Sequence, residues 1–126
     1  MYLLDTNVLL WALAEPKRLT RKARAAVETG APKVSVASYW EVAIKAARKK
    51  LPIADPVEWW TRVRAIAGED HVLAIRSRHI DALVNLPALH SDPFDRILVA
   101  QAKAEGLTLV TADRDMARYG VSVLWK

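Results

Sequence analysis

Five short runs rich in Val, Leu and Ile, at residues 2–4, 33–36, 72–75, 107–110 and 121–124, are separated by stretches long enough to be helices. That alternation constrains the fold more than any other feature. A strand can pair in parallel with its predecessor only if the chain first returns to the same end, and a helix is the usual return path. Helices are expected over 8–14, 21–29, 39–50, 57–67, 78–85 and 93–105, with Gly30, Gly68 and Gly106 just beyond three of them, where helices stop. Several apolar runs show no polar alternation, which fits strands covered on both faces. The expected fold class is α/β: a three-layer α/β/α arrangement around a largely parallel five-stranded sheet. Right-handed crossovers would put helices on both faces. No repeat, low-complexity tract or linker interrupts residues 1–126, which read as a single domain.

Composition narrows the functional classes. Hydrophobic residues make up 52% of the chain, enough for a packed interior. Cysteine is absent, so disulfides and thiolate metal sites are excluded. No apolar run approaches the ~20 residues that span a bilayer. Asp5 interrupts the first apolar segment and no basic stretch precedes it, which argues against a secretory leader. The expectation is a cytoplasmic protein with no membrane association. Net charge is nonetheless +5, with basic groups at Lys17-Arg18, Arg21-Lys22-Arg24, Lys45, Arg48-Lys49-Lys50, Arg62, Arg64, Arg76 and Arg78. Such a surface suits a polyanionic substrate, and it equally suits ordinary solvated helix faces. No glycine-rich phosphate loop is present, so nucleotide cofactors are not indicated.

Against this basic background four acids stand at the ends of buried elements: Asp5 after the first apolar run, Glu41 and Asp95 in the first turns of two expected helices, and Asp113 after the fourth run. In a parallel sheet, strand ends and the starts of the following helices share one edge, and ligands bind there. Carboxylates gathered at such an edge repel one another until a hard divalent cation sits among them. Each acid also has a purely structural explanation. Ser38-Tyr39-Trp40-Glu41 has the form of a capping box. Asp92-Pro93-Phe94-Asp95 reads as N-cap, N1 proline and first-turn acid, and Asp55-Pro56-Val57-Glu58 repeats that pattern where no chemistry is expected. Asp113 could cap a short helix starting near Arg114. Asp5 is the most diagnostic, because a carboxylate closing a central strand is costly to desolvate without a metal or a nearby hydroxyl such as Thr6. Asp92 suits an N-cap better than a site residue. Arg96, adjacent to Asp95, could orient a carboxylate or contact phosphate, and it could equally form a surface ion pair. His71, His79 and His90 lack ligand spacing, although His90 could touch substrate.

These segments resemble a known family. Tyr2-Leu3-Leu4-Asp5-Thr6-Asn7-Val8-Leu9-Leu10-Trp11 is similar to the opening of PIN-domain ribonucleases. Ser38-Tyr39-Trp40-Glu41-Val42-Ala43-Ile44-Lys45 resembles their second acidic motif. Asp92-Pro93-Phe94-Asp95-Arg96-Ile97-Leu98-Val99-Ala100-Gln101-Ala102 resembles the third motif in its VapC-type form, and Gly106-Leu107-Thr108-Leu109-Val110-Thr111-Ala112-Asp113 the closing strand with the fourth acid. The resemblance implies a Mg²⁺- or Mn²⁺-dependent endoribonuclease that is the toxin of a toxin–antitoxin pair. Its partners would be an RNA substrate, a cognate antitoxin and a second copy in a homodimer. Mapped by motif, Asp5, Glu41, Asp95 and Asp113 become both catalytic and metal-site residues, with Asp115 a rival for the fourth position. Trp59 and Trp60, taken as exposed, could then form the docking groove or the dimer interface. Two other readings stay open: a PIN-like module that binds RNA or protein without cutting, and a phosphohydrolase using Asp5 as nucleophile. The second is disfavoured because Asn7 stands where haloacid-dehalogenase-type phosphatases have another Asp.

Overall fold

The computed structural model describes residues 1–89 and 91–126. Five strands, β1 (Tyr2–Leu4), β2 (Val34–Ser35), β3 (Val72–Leu73), β4 (Thr108–Val110) and β5 (Val123–Leu124), alternate with six α-helices. The helices are α1 (Thr6–Ala14), α2 (Arg21–Thr29), α3 (Val36–Ala47), α4 (Pro56–Ala67), α5 (Ser77–Val84) and α6 (Pro93–Glu105). Every strand pairing is parallel. β1 lies beside β4 with Leu3 opposite Leu109, β4 beside β5, and β2 beside β3. The two groups join through a parallel bridge between Leu3 and Lys33, where the Leu4 amide donates to the Lys33 carbonyl at 3.1 Å. The spatial order is therefore β3-β2-β1-β4-β5. The chain leaves β1 toward β2 and β3, then crosses back to place β4 on the other side of β1. The gap between β1 and β4 is the switch point where a doubly wound sheet leaves a crevice.

Neighbouring residues of each strand point to opposite faces, which divides the interior. Leu3 and Leu109 pack with Leu98, Val99 and Met116 under α5 and α6. Leu4 and Val110 pack with Val8, Val42, Trp59, Trp60 and Val63 against α1, α2 and α4. Helix α3 serves both layers, with Ala37 on one side and Val42 on the other. Helix α6 is buried all round from residue 97 to residue 102, as a central helix should be. Its buried Gln101 is satisfied by the Ser35 hydroxyl, which donates at 2.5 Å, and by donating to the Ala74 carbonyl at 3.3 Å.

Two glycines are fixed by different constraints. Gly106 ends α6 at φ +67°, a left-handed conformation that only glycine adopts without strain. Gly30 has an ordinary φ, but a Cβ there would lie 2.5 Å from the Ala26 carbonyl oxygen and 2.8 Å from the Tyr2 ring.

β1 spans its apolar run, the other four strands are shorter than theirs, and α1 and α3 begin earlier than expected. Helix α3 starts at Val36 rather than 39 because Ser35, not Ser38, is its N-cap, accepting from the Ala37 amide at 3.0 Å. Ser38 and Glu41 therefore form no capping box. Trp59 and Trp60 are buried, at 6% and 7% exposure, with the Trp60 ring stacked on Tyr39. They belong to the core and offer no docking surface. Among the described residues, no helix is long and apolar enough to cross a membrane.

Candidate active site

Asp5 stands at the switch point. Its backbone closes β1, its amide donating to the Val110 carbonyl at 3.0 Å, and its conformation is that of the N-cap of α1. The carboxylate makes no capping bond, so it is available for other partners. It accepts instead from the Thr111 hydroxyl at 2.7 Å. The expected hydroxyl, Thr6, is engaged elsewhere, bonded at 2.8 Å to the Ser38 hydroxyl between α1 and α3. Thr6 supports Asp5 through its backbone. Burial pushes the Asp5 carboxyl up to about 6, against the lowering effect of Thr111 and Thr6; the negative charges of Glu41 and Asp113 add to the rise. The charges of residues 41 and 113 thus reach Asp5 although the three lie on separate elements.

Glu41 is the sixth residue of α3, one turn deeper than the sequence suggests, and only 5% exposed. Its Oε2 accepts from Lys45 Nζ at 2.5 Å. Its Oε1 is buried and has no hydrogen-bond partner among the described residues. A buried carboxylate oxygen left unmatched is costly in a finished core, so the site has capacity for another ligand. Lys45 is pushed above its ordinary value, chiefly by the hydrogen bond to Glu41, with the negative charges of Glu41, Asp92 and Asp95 contributing. That influence brings the start of α6 into the same neighbourhood as Glu41.

Asp92 is the N-cap of α6, its Oδ1 accepting from the Phe94 amide at 2.8 Å and the Asp95 amide at 3.3 Å. Asp95 follows in the first turn, half-buried. Asp113 caps the 3₁₀ stretch Arg114–Tyr119, accepting from the Asp115 amide at 3.0 Å, while its own amide donates to the Thr111 hydroxyl at 3.1 Å. One hydroxyl, Thr111, therefore ties Asp5 to the Asp113 loop. Asp115 is exposed, and Asp113 rather than Asp115 acts on Asp5. Asp55 is a cap alone, accepting from the Glu58 amide at 3.1 Å.

Arg96 donates to the Pro87 carbonyl at 2.8 Å, and among the described residues it forms no ion pair. His71 Nδ1 lies 3.3 Å from the Pro32 carbonyl. His79 is fully buried between α5 and α6: its Nδ1 accepts from the Arg76 amide at 2.9 Å, so Nε2 carries the proton and donates to Glu105 at 2.8 Å. His90 is outside the described residues. Trp40 is 56% exposed and stands edge-on to Phe94, so that an aromatic pair links α3 to the start of α6.

The four acids supply only carboxylate oxygens, the donor set hard divalent cations prefer. Among the described residues, however, no three acidic or histidine side chains stand close enough to form a ready-made metal cage. The arrangement is one of electrostatic neighbours, with a lysine among them and one buried oxygen unmatched. Lys45 was missed in reading the sequence, though its position four residues after Glu41 is an ion-pair spacing. Thr111 carried no signal, because its partner is 106 residues away.

Five parallel strands with a buried carboxylate at the switch point, under the charge of acids from two other elements, define an α/β domain of the PIN-like class. The chain matches the PIN domain over residues 2–121 and belongs to that family. It is 36% identical over 115 residues to Ribonuclease VapC22 of Mycobacterium tuberculosis, covering 89% of this chain and 86% of that one. Its fold is shared with three solved complexes. With VapBC2 from Rickettsia felis, bound to a promoter DNA fragment, the TM-score is 0.71 at 16% identity, covering 99% of this chain and 98% of that one. With FitAcB from Neisseria gonorrhoeae it is 0.67 at 16% identity, covering 98% and 96%. With a toxin–antitoxin complex from Klebsiella pneumoniae it is 0.66 at 20% identity, again covering 98% and 96%.

Proposed function

We propose that this PIN domain is a divalent-metal-dependent endoribonuclease and the toxin of a toxin–antitoxin pair. The observation that carries the reading is the buried pair Asp5 and Glu41. One carboxyl is pushed up to about 6, in part by the charge of the other, which has a buried oxygen unmatched among the described residues. Neither is explained by capping or packing. The 36% identity to a ribonuclease supports RNA as the substrate, and the likeness to antitoxin complexes supports a protein partner. An RNA substrate in turn places the protein in the cytoplasm, and pairing with a second copy belongs to the same reading.

Asp5, Glu41, Asp95 and Asp113 would hold Mg²⁺ or Mn²⁺. The bound ion would supply an acidified water and a counter-charge for the phosphodiester as it is cleaved. The chain's own groups do the rest. Thr111 holds the Asp5 carboxylate in one orientation and fixes the Asp113 loop to it. The bond between Thr6 and Ser38 holds α1 against α3, so that Asp5 and Glu41 keep their spacing. Lys and Arg side chains attract the phosphate backbone toward an otherwise acidic crevice.

The test is to incubate the purified protein with total cellular RNA, with Mg²⁺, with Mn²⁺ or with EDTA, and to map new RNA ends. New ends that require metal and vanish in Asp5→Asn are expected. Cleavage that survives EDTA, or that Asp5→Asn retains in full, would refute the assignment.

A further inference from the structure

Lys45 pairs with the buried Glu41 at 2.5 Å, and its geometry suggests more than a helix ion pair. The Glu41 carboxylate has two oxygens and a buried setting; Lys45 takes one and the other is unmatched among the described residues. Lys45 reaches Glu41 from the solvent side, its side chain 37% exposed where that of Glu41 is 7% exposed. It is a compact ammonium on a long flexible stem, attracted to Asp92 and Asp95 as well as to Glu41. The ion pair at Glu105 is built differently. There the guanidinium of Arg78 donates through two nitrogens, at 2.8 and 2.5 Å, and His79 donates to the same oxygen at 2.8 Å. That carboxylate is fastened, whereas the Glu41 carboxylate is held by one displaceable partner.

We infer that Lys45 is an internal stand-in for the divalent ion: its ammonium occupies Glu41 in the metal-free protein, and metal binding must displace it. This rests on the reading that the four acids hold a metal. Without the ion, Lys45 relieves the repulsion among Glu41, Asp92 and Asp95. With the ion bound, Glu41 is taken by the metal and the ammonium is released next to Asp92 and Asp95, at the start of α6. Lys45 is thus a positioning residue that sets how strongly the site holds its ion, in competition for the same oxygens.

The experiment is a Mn²⁺ titration of the metal-free full chain, free Mn²⁺ being followed by electron paramagnetic resonance. Lys45→Met is expected to tighten Mn²⁺ binding by about five- to tenfold, the scale of a partly exposed ion pair removed as a competitor. Lys45→Arg, which keeps the charge, should not tighten it. In a Glu41→Gln background, Lys45→Met should lose most of its effect, because the contested carboxylate is gone. Circular dichroism checks that every variant is folded. A pair that serves only the helix would shift stability and leave the affinity unchanged. Unchanged or weaker Mn²⁺ binding by Lys45→Met overturns the inference, and so does tightening that persists undiminished without Glu41. Failure of the unsubstituted protein to bind Mn²⁺ at all would overturn the metal reading itself, and this inference with it.

Discussion

Replacing Asp5 by Asn should make the metal-free protein more stable while abolishing its proposed activity. Burial and two neighbouring negative charges push the Asp5 carboxyl from 3.8 to about 6 in the folded state. A raised carboxylate pKa means that the folded state holds the proton more tightly than the unfolded chain does. Stability is therefore highest at acid pH and falls as pH rises from about 4 through 6. The difference of roughly two pH units corresponds to about 3 kcal/mol above pH 7. Asparagine removes the charge and keeps an oxygen that can accept from Thr111. In EDTA at pH 7.5, Asp5→Asn should be stabilised by about 3 kcal/mol, which raises the melting temperature by roughly 10 °C in a chain of this size. At pH 5 the advantage should fall to about half, and at pH 4 it should nearly vanish. Mn²⁺ in large excess should reverse the ranking, since a ligand at about 1,000 times its Kd stabilises only the variant that binds it, by about 4.1 kcal/mol. Urea denaturation followed by circular dichroism at the three pH values measures all of this. An Asp5→Asn protein equal to or less stable than the parent at pH 7.5 without metal would refute the claim that Asp5 carries stored electrostatic strain.

Four further outcomes follow from the same structure. Thr111→Val keeps the shape but removes a buried hydroxyl bonded to Asp5 and to the Asp113 amide, and should cost about 1–2 kcal/mol by urea denaturation. It should also move the acid limb of the cleavage pH profile upward, because Thr111 holds the Asp5 carboxyl down. Glu105→Gln weakens the bonds to His79 and Arg78 and should cost about 2 kcal/mol near neutrality. His79, then Arg78, holds Glu105 below the usual carboxylate range, so this contribution is present above that range. Lost as pH falls through the depressed folded value, it should make parent and variant converge in acid denaturation. Gly106→Ala should cost about 1 kcal/mol from its left-handed φ alone, since nothing lies within 4 Å of the added Cβ. Gly30→Ala should cost more, about 1–3 kcal/mol, because its Cβ meets the Ala26 carbonyl and the Tyr2 ring.

The sheet was legible because burial on both faces leaves a mark in the chain itself, the unbroken apolar runs around Leu3, Val34, Leu73, Leu109 and Val123. Helix α6 could be bounded to the residue, since Asp92, Pro93 and Gly106 each have a local backbone reason to be where they are. Helix α3 could not. Ser35 and Ser38 are equally good caps by type, and tertiary contacts decided between them: Ser35 donates to Gln101 on α6, and Ser38 bonds to Thr6 on α1. The exposure of the tryptophans was misjudged for the same reason. A helix with Trp59 and Trp60 adjacent gives no local sign of which ring faces inward, and here both do, under Tyr39 and Val63. The order of the strands was equally hidden, as it depends on which side of β1 the chain chooses on its return.

That choice creates the site. If the chain had gone on adding strands beyond β3, β1 would lie at an edge of the sheet and Asp5 would face solvent, where an unpaired carboxylate costs little. Crossing back to place β4 against β1 buries Asp5 at the switch point and aligns Thr111 with it through the register of Leu4 with Val110. The same crossing carries α6 over the sheet and brings Asp95 toward Lys45 on α3. The topology that completes the hydrophobic layers therefore also puts Glu41 and Asp113 where their charges act on the buried Asp5. The fold tolerates that crowding through a threonine hydroxyl, one backbone contact from Thr6 and one lysine. Cap residues that merely end helices would not require those three supports, and their presence is the strongest structural argument that these acids do chemistry.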